Sequence, residues 1–493
     1  MKLKVKFLKF LAGRPIVILN SSTAGRISVH IGERILVSKF GDSMISIVDV
    51  SKELLKQNEI ALSDEIIKVL NVSEGDEVEV SLAEKPESTL FIKKKMENNP
   101  LSEEELYAII KDVVDNALTE AEIAYFVSAV YKNGMNEREI ENLISAMVST
   151  GKRLNFSGKV VDKHSIGGVA ANRTTPIVVP ICAAAGLIMP KTSSRAITSA
   201  AGTADVVESI ANVEFSAEEI KKIVEKTNAC MVWGGSLGLS PADDKLIQVE
   251  RVLNLDPEPQ LLASVLSKKI SVGSKYVLID IPYGKSAKVD KKRALVLKQK
   301  FESLGKKFGL KLKCVLTDGS QPIGNGIGSL LEIRDVISVL RKDSDAPKDL
   351  EKKSIYLAGE ILELSGASKK GAGEKLAKSL LDSGKAFSKF KEIIEAQKGK
   401  VPSSGEINSK IGKIHKSVEA EKNSEIKEMD NKKISLIANI AGSPMDKGSG
   451  IYLHKHVGEK VKKGEKILTI YSDSQARLKN ALELYSKIKP VAY

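Results

Sequence analysis

Residues 159–208 read KVVDKHSIGGVAANRTTPIVVPICAAAGLIMPKTSSRAITSAAGTADVVE, and the pattern of this stretch indicates the fold class. Two short apolar runs, KVVD and LIMPK, are each followed by a loop rich in glycine or hydroxyl residues. Each loop leads into a segment with the character of a helix. Strands that alternate with helices over short connections are typical of a parallel α/β sheet, so we predict one here.

Both loops have the composition of an anion site. The first loop, Lys163–Gly168, contains a lysine, a serine and two glycines, while the second loop, Ser193–Thr203, contains five hydroxyl residues and one arginine. Glycines let the backbone approach a ligand closely, and N–H groups at a helix N-terminus favour anions. Neither loop has the Walker pattern or the dinucleotide-binding pattern. An ordinary strand-to-helix turn explains one such loop, but two in one α/β unit predict a phosphate site.

The rest of the chain changes character several times. Short alternating runs indicate a β-rich start, and a capping residue three positions before a glutamate predicts helices after Ser102, Thr119 and Asn136. We therefore predict a β-rich N-terminal domain (1–84), a helical domain in two parts (85–157 and 237–271), an α/β domain in two parts (158–236 and 272–420) and a β-rich C-terminal module (421–493).

Composition narrows the class of protein. The chain has 493 residues, of which 42% are hydrophobic and 28% charged, as in multidomain globular proteins. The three cysteines are widely spaced and the five histidines scattered, so we expect neither a disulfide framework nor a metal centre. A net charge of +13 attracts small anions, whereas 4% aromatic residues provide no stacking platform for nucleic acid.

The N-terminal sequence and the length of the apolar runs indicate where in the cell the protein acts. No apolar run reaches the roughly 18 residues that a membrane span needs, so we expect no membrane partner. The N-terminal sequence MKLKVKFLKF alternates apolar residues with lysines, which predicts an edge strand rather than a signal peptide. We therefore expect a cytoplasmic protein.

The two loops and several later motifs resemble the thymidine/pyrimidine-nucleoside phosphorylase family. The matching motifs, in the family's order between about Leu101 and the C-terminus, are KHSIGGV, SSRAITSAAGTADVVE, LLASVLSKKI, VGSKYVLIDIPYGKSAKV and LTDGSQPIGNGIG. The second motif fits the specific family signature S-x-R-x₅-A/G-G-T-x-D-x-x-E. Residues 1–84 resemble the additional N-terminal domain of the branch that acts on AMP.

This resemblance implies a fold and a reaction. The fold is a small helical domain and a large parallel-sheet α/β domain with a cleft between them, and the C-terminal segment GEKVKKGEKI is similar to half of a β-hammerhead. The reaction is phosphorolysis of AMP, with CMP and UMP as further substrates, to free base and ribose 1,5-bisphosphate. Inorganic phosphate is a co-substrate and no cofactor is implied. The family norm is a homodimer, and the N-terminal domain can extend the assembly.

The resemblance also implies roles for individual residues. Asp256 matches the catalytic proton donor of the branch. The phosphate-binding positions are Lys163, Ser165, Thr174, Ser193 and Thr203. The AMP-binding positions are Gly168, Ser194, Arg195, Ala196, Ile197, Thr198, Ser199, Thr203, Ser264 and Lys288. His164 and Lys268 are further candidate contacts, and Lys268 matches a lysine that contacts the base in the pyrimidine enzymes.

Two of these positions carry a second interpretation, and Val249 is a departure from the family pattern. Asp256, followed by Pro257, also fits a helix N-cap with proline at the first helical position. A general acid at Asp256 requires burial to raise its pKa above the ordinary value of about 3.9. Arg195 can bind a 5′-phosphate bidentately or form a structural salt bridge. Val249 stands where the pyrimidine enzymes have a base-reading arginine, which favours a nucleotide substrate with a different base.

Three other functions remain open from the sequence. A pyrimidine or thymidine nucleoside phosphorylase would prefer unphosphorylated substrates. An anthranilate-type phosphoribosyltransferase shares the architecture but needs magnesium to hold a pyrophosphate, and the sequence has no obvious acidic motif for that metal. A basic nucleic-acid-binding protein would bind RNA in a salt-sensitive way and release no base.

Overall fold

The computed structural model describes residues 1–196 and 199–493. The chain forms two compact units, of which the first comprises residues 1–151 and 240–267 and the second comprises residues 152–239 and 268–493. Within the described ranges, no helix combines the length and the apolar character needed to cross a membrane.

The first unit begins with a closed β-barrel of six strands in the order β1-β5-β2-β4-β3-β6. The strands are β1 (Lys2–Lys6), β2 (Ile16–Asn20), β3 (Arg34–Lys39), β4 (Asp42–Ser51), β5 (Glu59–Leu62) and β6 (Glu77–Leu82), with helices α1 (Ser21–Ile27) and α2 (Asp64–Leu70) between them. Leu3 and Val5 of β1 face the core, whereas Lys2 and Lys4 face outward, as the sequence alternation requires. The predicted edge strand was wrong, because β1 pairs with β5 on one side and with β6 on the other.

A helical bundle follows in the same unit. Its helices are α3 (Ser88–Met96), α4 (Glu103–Val114), α5 (Glu120–Asn133) and α6 (Glu137–Ser149). The structure confirms the predicted starts, since Ser102, Thr119 and Asn136 each form a complete capping box with the glutamate three residues on. A cap of this kind stabilises a helix by about 1 kcal/mol, because it satisfies N–H groups that have no partner within the helix. Helix α3 was not predicted.

The second unit contains the predicted α/β layer. It begins with β7 (Val161–Ser165), α7 (Thr175–Ala184), β8 (Met189–Ser193), α8 (Thr203–Glu208), α9 (Ala217–Thr227) and β9 (Ala229–Trp233). Strands β8 and β9 are parallel, and a parallel bridge between Val160 and Ile188 joins this pair to the sheet that contains β7. The alternation of strands and helices is confirmed.

The chain then supplies two further helices and completes the sheet. Helix α10 (Pro241–Leu253) belongs to the first unit, and α11 (Glu258–Ser271) begins in the first unit and ends in the second. The next elements are β10 (Tyr276–Tyr283), α12 (Lys291–Lys307) and β11 (Lys311–Asp318). Strand β10 lies between β7 and β11 and is parallel to both, with Leu278 opposite Lys163. All three strands therefore end at the same edge of the sheet, next to the first loop.

The remaining elements of the second unit cover the sheet and form a C-terminal module. They are β12 (Gly326–Ile327), α13 (Ser329–Arg341), α14 (Lys348–Leu364), α15 (Gly373–Asp382), α16 (Lys385–Ala396), α17 (Ser404–Asn408), β13 (Ile414–Glu419), β14 (Ser424–Glu425), β15 (Glu428–Met429), α18 (Asn431–Ala441), β16 (Gly450–Leu453), β17 (Lys460–Val461), β18 (Lys466–Ser472), α19 (Gln475–Ile488) and β19 (Val491–Ala492). The core of the C-terminal module includes Ala170 and Ala171, which follow the first loop, and Ala200 of the second loop. This module therefore packs against both loops.

Candidate active site

Lys163 lies at the carboxyl end of β7 and is almost completely buried, with 1% of its surface exposed. Its ammonium donates to the Thr174 hydroxyl at 2.7 Å and lies 3.4 Å from the Thr175 hydroxyl, at the start of α7. Burial lowers the pKa of Lys163 to about 8. The structure therefore brings together two of the predicted phosphate contacts, Lys163 and Thr174, at a helix N-terminus.

Buried carboxylates lie near Lys163, but they do not neutralise its ammonium by direct contact. Asp280 of β10 accepts from Thr317 at 2.6 Å and lies 3.3 Å from the ammonium of Lys353. Burial alone would raise the pKa of Asp280, but Lys353 and Lys163 outweigh it and hold that pKa below its ordinary value. Lys163 instead contacts hydroxyl groups, so its charge remains available to an anion.

A second buried cluster lies beside the first. Asp162 accepts from the Lys269 ammonium at 2.8 Å and lies 3.8 Å from that of Lys191. Burial and the neighbouring charge of Lys269 lower the pKa of Lys191 to about 7. Burial and the same lysines also hold the pKa of His164 well below its usual range, which favours a neutral contact over a charged one.

The backbone of the first loop approaches another predicted site residue. Gly168 has a φ of +85°, and a Cβ added there would lie 2.3 Å from the backbone nitrogen of Lys288. A side chain at this position is therefore excluded by both conformation and space. Gly168 and Lys288, both predicted AMP contacts, are neighbours in the structure. Ser165 lies 3.5 Å from the Nδ2 atom of Asn172, a polar neighbour that the sequence did not point to.

The second loop is held together by the aspartate of its own signature motif. The Asp205 carboxylate accepts from the backbone N–H groups of Ala196 and Gly202, at 2.7 and 2.8 Å. A Cβ at Gly202 would lie 2.5 Å from the carbonyl oxygen of Ser194, so the turn requires glycine. The Ser193 hydroxyl is buried and has no hydrogen-bond partner among the described residues. That arrangement leaves it able to donate to a ligand.

Arg195 is engaged by acidic side chains. Its guanidinium donates to both oxygens of Glu208, at 2.9 and 2.8 Å, and to Glu214 at 2.8 Å. It also lies over the Trp233 ring, 4.9 Å from the centroid. The hydrogen bonds to Glu208 raise the pKa of Arg195 further above its already high value. Of the two interpretations of Arg195, this geometry matches the structural salt bridge, and a contact with a 5′-phosphate stays a prediction.

The remaining predicted positions of the second loop differ in their surroundings. Ser194 and Ser199 are exposed, and Ser199 donates to the Ala201 carbonyl oxygen at 3.0 Å. Ile197 and Thr198 lie outside the described residues. Thr203 begins α8 and accepts a hydrogen bond from Arg173 at 2.8 Å.

Two side chains of the C-terminal module secure the loops, and no sequence motif pointed to either. Asn431 accepts from the Ala170 N–H at 3.0 Å and donates to the Ser286 hydroxyl and the Gly319 carbonyl oxygen, both at 3.0 Å. It therefore ties together the segments that follow β7, β10 and β11. Ser443 donates to the carbonyl oxygen of Ala200 in the second loop at 2.7 Å.

The other predicted residues lie on or near α11. Asp256 is exposed, so the burial that a general acid at this position requires is not found in the structure. It precedes the helix, which begins at Glu258, and the Pro257 carbonyl oxygen accepts from the Leu261 N–H at 3.0 Å. The predicted start of this helix agrees with the structure to within one residue, and a capping role for Asp256 stays a prediction. Ser264 is half-buried and donates to the Asp243 carboxylate at 2.9 Å. Lys268 lies in the last turn of the helix.

Val249 lies on α10 and is buried, with 8% of its surface exposed. Its side chain provides no donor to a base. Within the described residues, no group of histidine, cysteine, aspartate and glutamate side chains is arranged to hold a metal ion.

Family models match three segments of the chain. Residues 89–151 match the helical bundle domain of a glycosyl transferase family, residues 157–387 match the α/β domain of the same family, and residues 425–491 match the pyrimidine nucleoside phosphorylase C-terminal domain. These matches define the class of the protein as a glycosyl transferase with a helical bundle and an α/β domain.

Full-length relatives narrow the class. The chain is 46% identical to an AMP phosphorylase of Methanocaldococcus jannaschii, over 97% of this chain and 94% of the relative, and 47% identical to an AMP phosphorylase of Pyrococcus horikoshii, over 100% and 97%. It is also 45% identical to a putative thymidine phosphorylase of Legionella pneumophila, over 92% and 87%. The chain therefore belongs to the thymidine/pyrimidine-nucleoside phosphorylase family, in the branch that contains the AMP phosphorylases.

A solved structure supports the fold alone. The anthranilate phosphoribosyltransferase of Thermus thermophilus aligns with a TM-score of 0.52 and 17% identity, over 62% of this chain and 99% of that one.

Proposed function

We propose that the protein is a pentosyltransferase that cleaves AMP with inorganic phosphate, releasing adenine and ribose 1,5-bisphosphate. Full-length similarity to AMP phosphorylases supports the choice of AMP. The observation within the structure that carries the proposal is the Lys163 ammonium, buried and in contact with hydroxyl groups rather than carboxylates. A cation in this setting is suited to bind a phosphate dianion at the start of α7.

In the proposed reaction, a phosphate oxygen forms a bond to C1′ of the ribose as the bond from C1′ to the base breaks. The electron pair of the broken bond goes to the base, and a proton from Asp256 neutralises it. Lys163, Ser165, Thr174, Ser193 and Thr203 hold the attacking phosphate. Gly168, the residues from Ser194 to Ser199, Ser264 and Lys288 contact AMP, with His164 and Lys268 as further contacts. The reaction needs no cofactor, because phosphate itself is the nucleophile.

The experiment measures base release from AMP, CMP, UMP, adenosine and thymidine, each with and without phosphate. We expect adenine release from AMP only when phosphate is present, and slower release from CMP and UMP. Release that does not depend on phosphate contradicts phosphorolysis. Faster turnover of adenosine or thymidine than of AMP would assign the chain to the nucleoside phosphorylases. The similarity to a putative thymidine phosphorylase is the reason for including these two substrates.

Asp256→Asn tests the proton donor in the same assay. A positioned general acid contributes roughly 10²–10⁴-fold, so turnover should fall by that factor while the affinity for AMP changes little. Asp244→Asn, on an acidic residue of the same unit, serves as the matched control. Turnover of Asp256→Asn equal to that of the wild type would reduce Asp256 to a structural role.

We also propose the finer features of the architecture. The six segments predicted from the sequence correspond to functional modules, and the strands from β16 to β18 form a hammerhead-like module. Its contacts through Asn431 and Ser443 support a role in holding the loops. The protein acts in the cytoplasm, where nucleotides and phosphate are available, as a homodimer or larger homo-oligomer. Light scattering of the purified chain tests the assembly, and a monomeric mass contradicts it.

A further inference from the structure

Arg173 is a cation next to the predicted phosphate site that no sequence motif had pointed to. It lies immediately before Thr174 and is half-buried. Its guanidinium donates to the Glu332 carboxylate of α13 at 2.6 Å, to the Thr203 hydroxyl at 2.8 Å and to the Ala201 carbonyl oxygen at 2.7 Å. One side chain thus connects the start of α7, the second loop and α13.

The hydrogen-bonding capacity of Arg173 exceeds these contacts. A guanidinium carries five N–H groups, and the three contacts use one on each nitrogen. One N–H group on each terminal nitrogen is therefore left over among the described residues. N–H groups on the two terminal nitrogens of a guanidinium can both donate to the oxygens of a phosphate.

The contact with Thr203 also fixes the direction of its hydroxyl hydrogen. Because arginine can only donate, the Thr203 oxygen must accept, and its own hydrogen points elsewhere. Lys163 has the same effect on Thr174. Both hydroxyl groups are thus held as donors, which is the polarity that an anion requires.

Electrostatics favour an anion at the same place. The charge of Arg173 is one of the causes that lower the pKa of Lys163, so the two cations repel each other within the unit. Glu332 is the carboxylate that Arg173 contacts, and burial raises the pKa of Glu332 above its ordinary value. An anion in contact with both cations would relieve the repulsion.

We propose that Arg173 binds the attacking inorganic phosphate through its two remaining N–H groups and positions the Thr203 hydroxyl toward the same phosphate. Arg195 is not equivalent, because Glu208 and Glu214 already occupy its guanidinium. The proposal rests on the proposed function for the identity of the ligand. It adds a contact that the resemblance did not assign.

The test compares Arg173→Lys with Arg341→Lys. Arg341 is a suitable control because it is also half-buried in the second unit, where it donates to the Pro402 carbonyl oxygen at 2.9 Å. Calorimetry measures the binding of inorganic phosphate to the full chain without nucleotide. We expect Arg173→Lys to weaken phosphate about 10- to 100-fold, as for the loss of charge-assisted hydrogen bonds, and Arg341→Lys to leave it within about twofold.

Steady-state kinetics distinguish the attacking phosphate from the phosphate of AMP. The KM for phosphate should rise in Arg173→Lys while the KM for AMP stays within about threefold of the wild type. An equal rise in both constants would overturn the assignment. Thr203→Val, alone and with Arg173→Lys, measures the coupling between the two residues, and we expect the double variant to lose less than the product of the single losses.

Loss of Arg173 leaves Glu332 buried without its partner, which can prevent folding. The double variant Arg173→Gln/Glu332→Gln removes both charges and should show the same weak binding of phosphate. A folded variant of either kind that binds phosphate within about threefold of the wild type would make Arg173 purely structural. This outcome differs from failure of the proposed function, which appears in the wild type as absence of phosphate-dependent base release.

Discussion

Lys163 in the first loop and Arg195 in the second loop are both cations close to a helix N-terminus, yet their surroundings differ. Lys163 is buried and contacts hydroxyl groups, and its pKa falls to about 8. Arg195 is partly exposed and engaged by Glu208 and Glu214. The first loop therefore keeps a reactive charge for a ligand, whereas the second uses its charge to hold its own shape.

This difference shows that a basic residue in a signature motif does not by itself identify an anion contact. The partners of the side chain decide whether its charge is available. In the second loop, hydroxyl groups and a loop shape fixed by Asp205 remain for recognition. Arg173 combines the two situations, because it has both a structural partner and remaining donors.

The largest expected effect is that of Lys163→Met. Loss of the buried ammonium should lower kcat/KM for phosphate by roughly 10²–10³-fold, because no other cation contacts the Thr174 hydroxyl in the described structure. Lys400→Met, at an exposed lysine, is the matched control. If both variants keep wild-type kinetics, the first loop holds no catalytic charge and the contrast with Arg195 disappears.

The C-terminal module offers a matched pair of variants for the two loops. Asn431→Ala removes the side chain that ties Ala170 to Ser286 and Gly319, and should raise the KM for phosphate about tenfold. Ser443→Ala removes one hydrogen bond to the second loop and should raise the KM for AMP about threefold, with little effect on phosphate. Parallel losses in both constants would show that the module stabilises the unit without distinguishing the loops.

The pH dependence of anion binding should follow the first loop. Sulfate is a suitable probe because it keeps its charge over the range in question. Lys163 must be protonated to bind it, so affinity is fully present below pH 8 and falls as the pH rises through that value, by up to about tenfold per unit. Calorimetry should find a flatter profile for Lys163→Met, and an unchanged profile would assign the titration to another group.

Arg195→Lys should have the smallest effect on catalysis. Loss of the bidentate contact with Glu208 should lower the free energy of unfolding by about 1 kcal/mol, since the pair is partly exposed. The KM for AMP should stay within about threefold. A rise of thirtyfold or more, measured in the same kinetic assay, would instead support direct binding of the 5′-phosphate by Arg195 and remove the contrast between the loops.

The sequence predicted features that depend on neighbouring residues. The capping boxes at Ser102, Thr119 and Asn136 are complete because donor and acceptor lie three residues apart. The strand–helix order around both loops was predicted for the same reason. Contacts across long separations were not predicted: Arg173 and Glu332 are 159 residues apart, and Asn431 and Ala170 are 261 apart.

One wrong prediction and one unresolved choice have physical causes as well. The edge-strand prediction for β1 failed because closure of a barrel depends on pairing with β5 and β6, which alternation along β1 cannot reveal. The two interpretations of Arg195 stayed open because Glu208 and Glu214 are visible in the sequence, but their competition with a ligand is not. Site chemistry was therefore less predictable than the elements that carry it.

The first unit is discontinuous in sequence, and this affects how it can fold during synthesis on the ribosome. The barrel has all its strands once β6 has emerged, so it can fold early. The bundle, by contrast, has to wait for α10 and for α11 up to Ser267, which are made only after β7, β8 and β9. Apolar surface on α4 and α5 that α10 later covers is exposed meanwhile, so this interval is when the nascent chain is most vulnerable to aggregation.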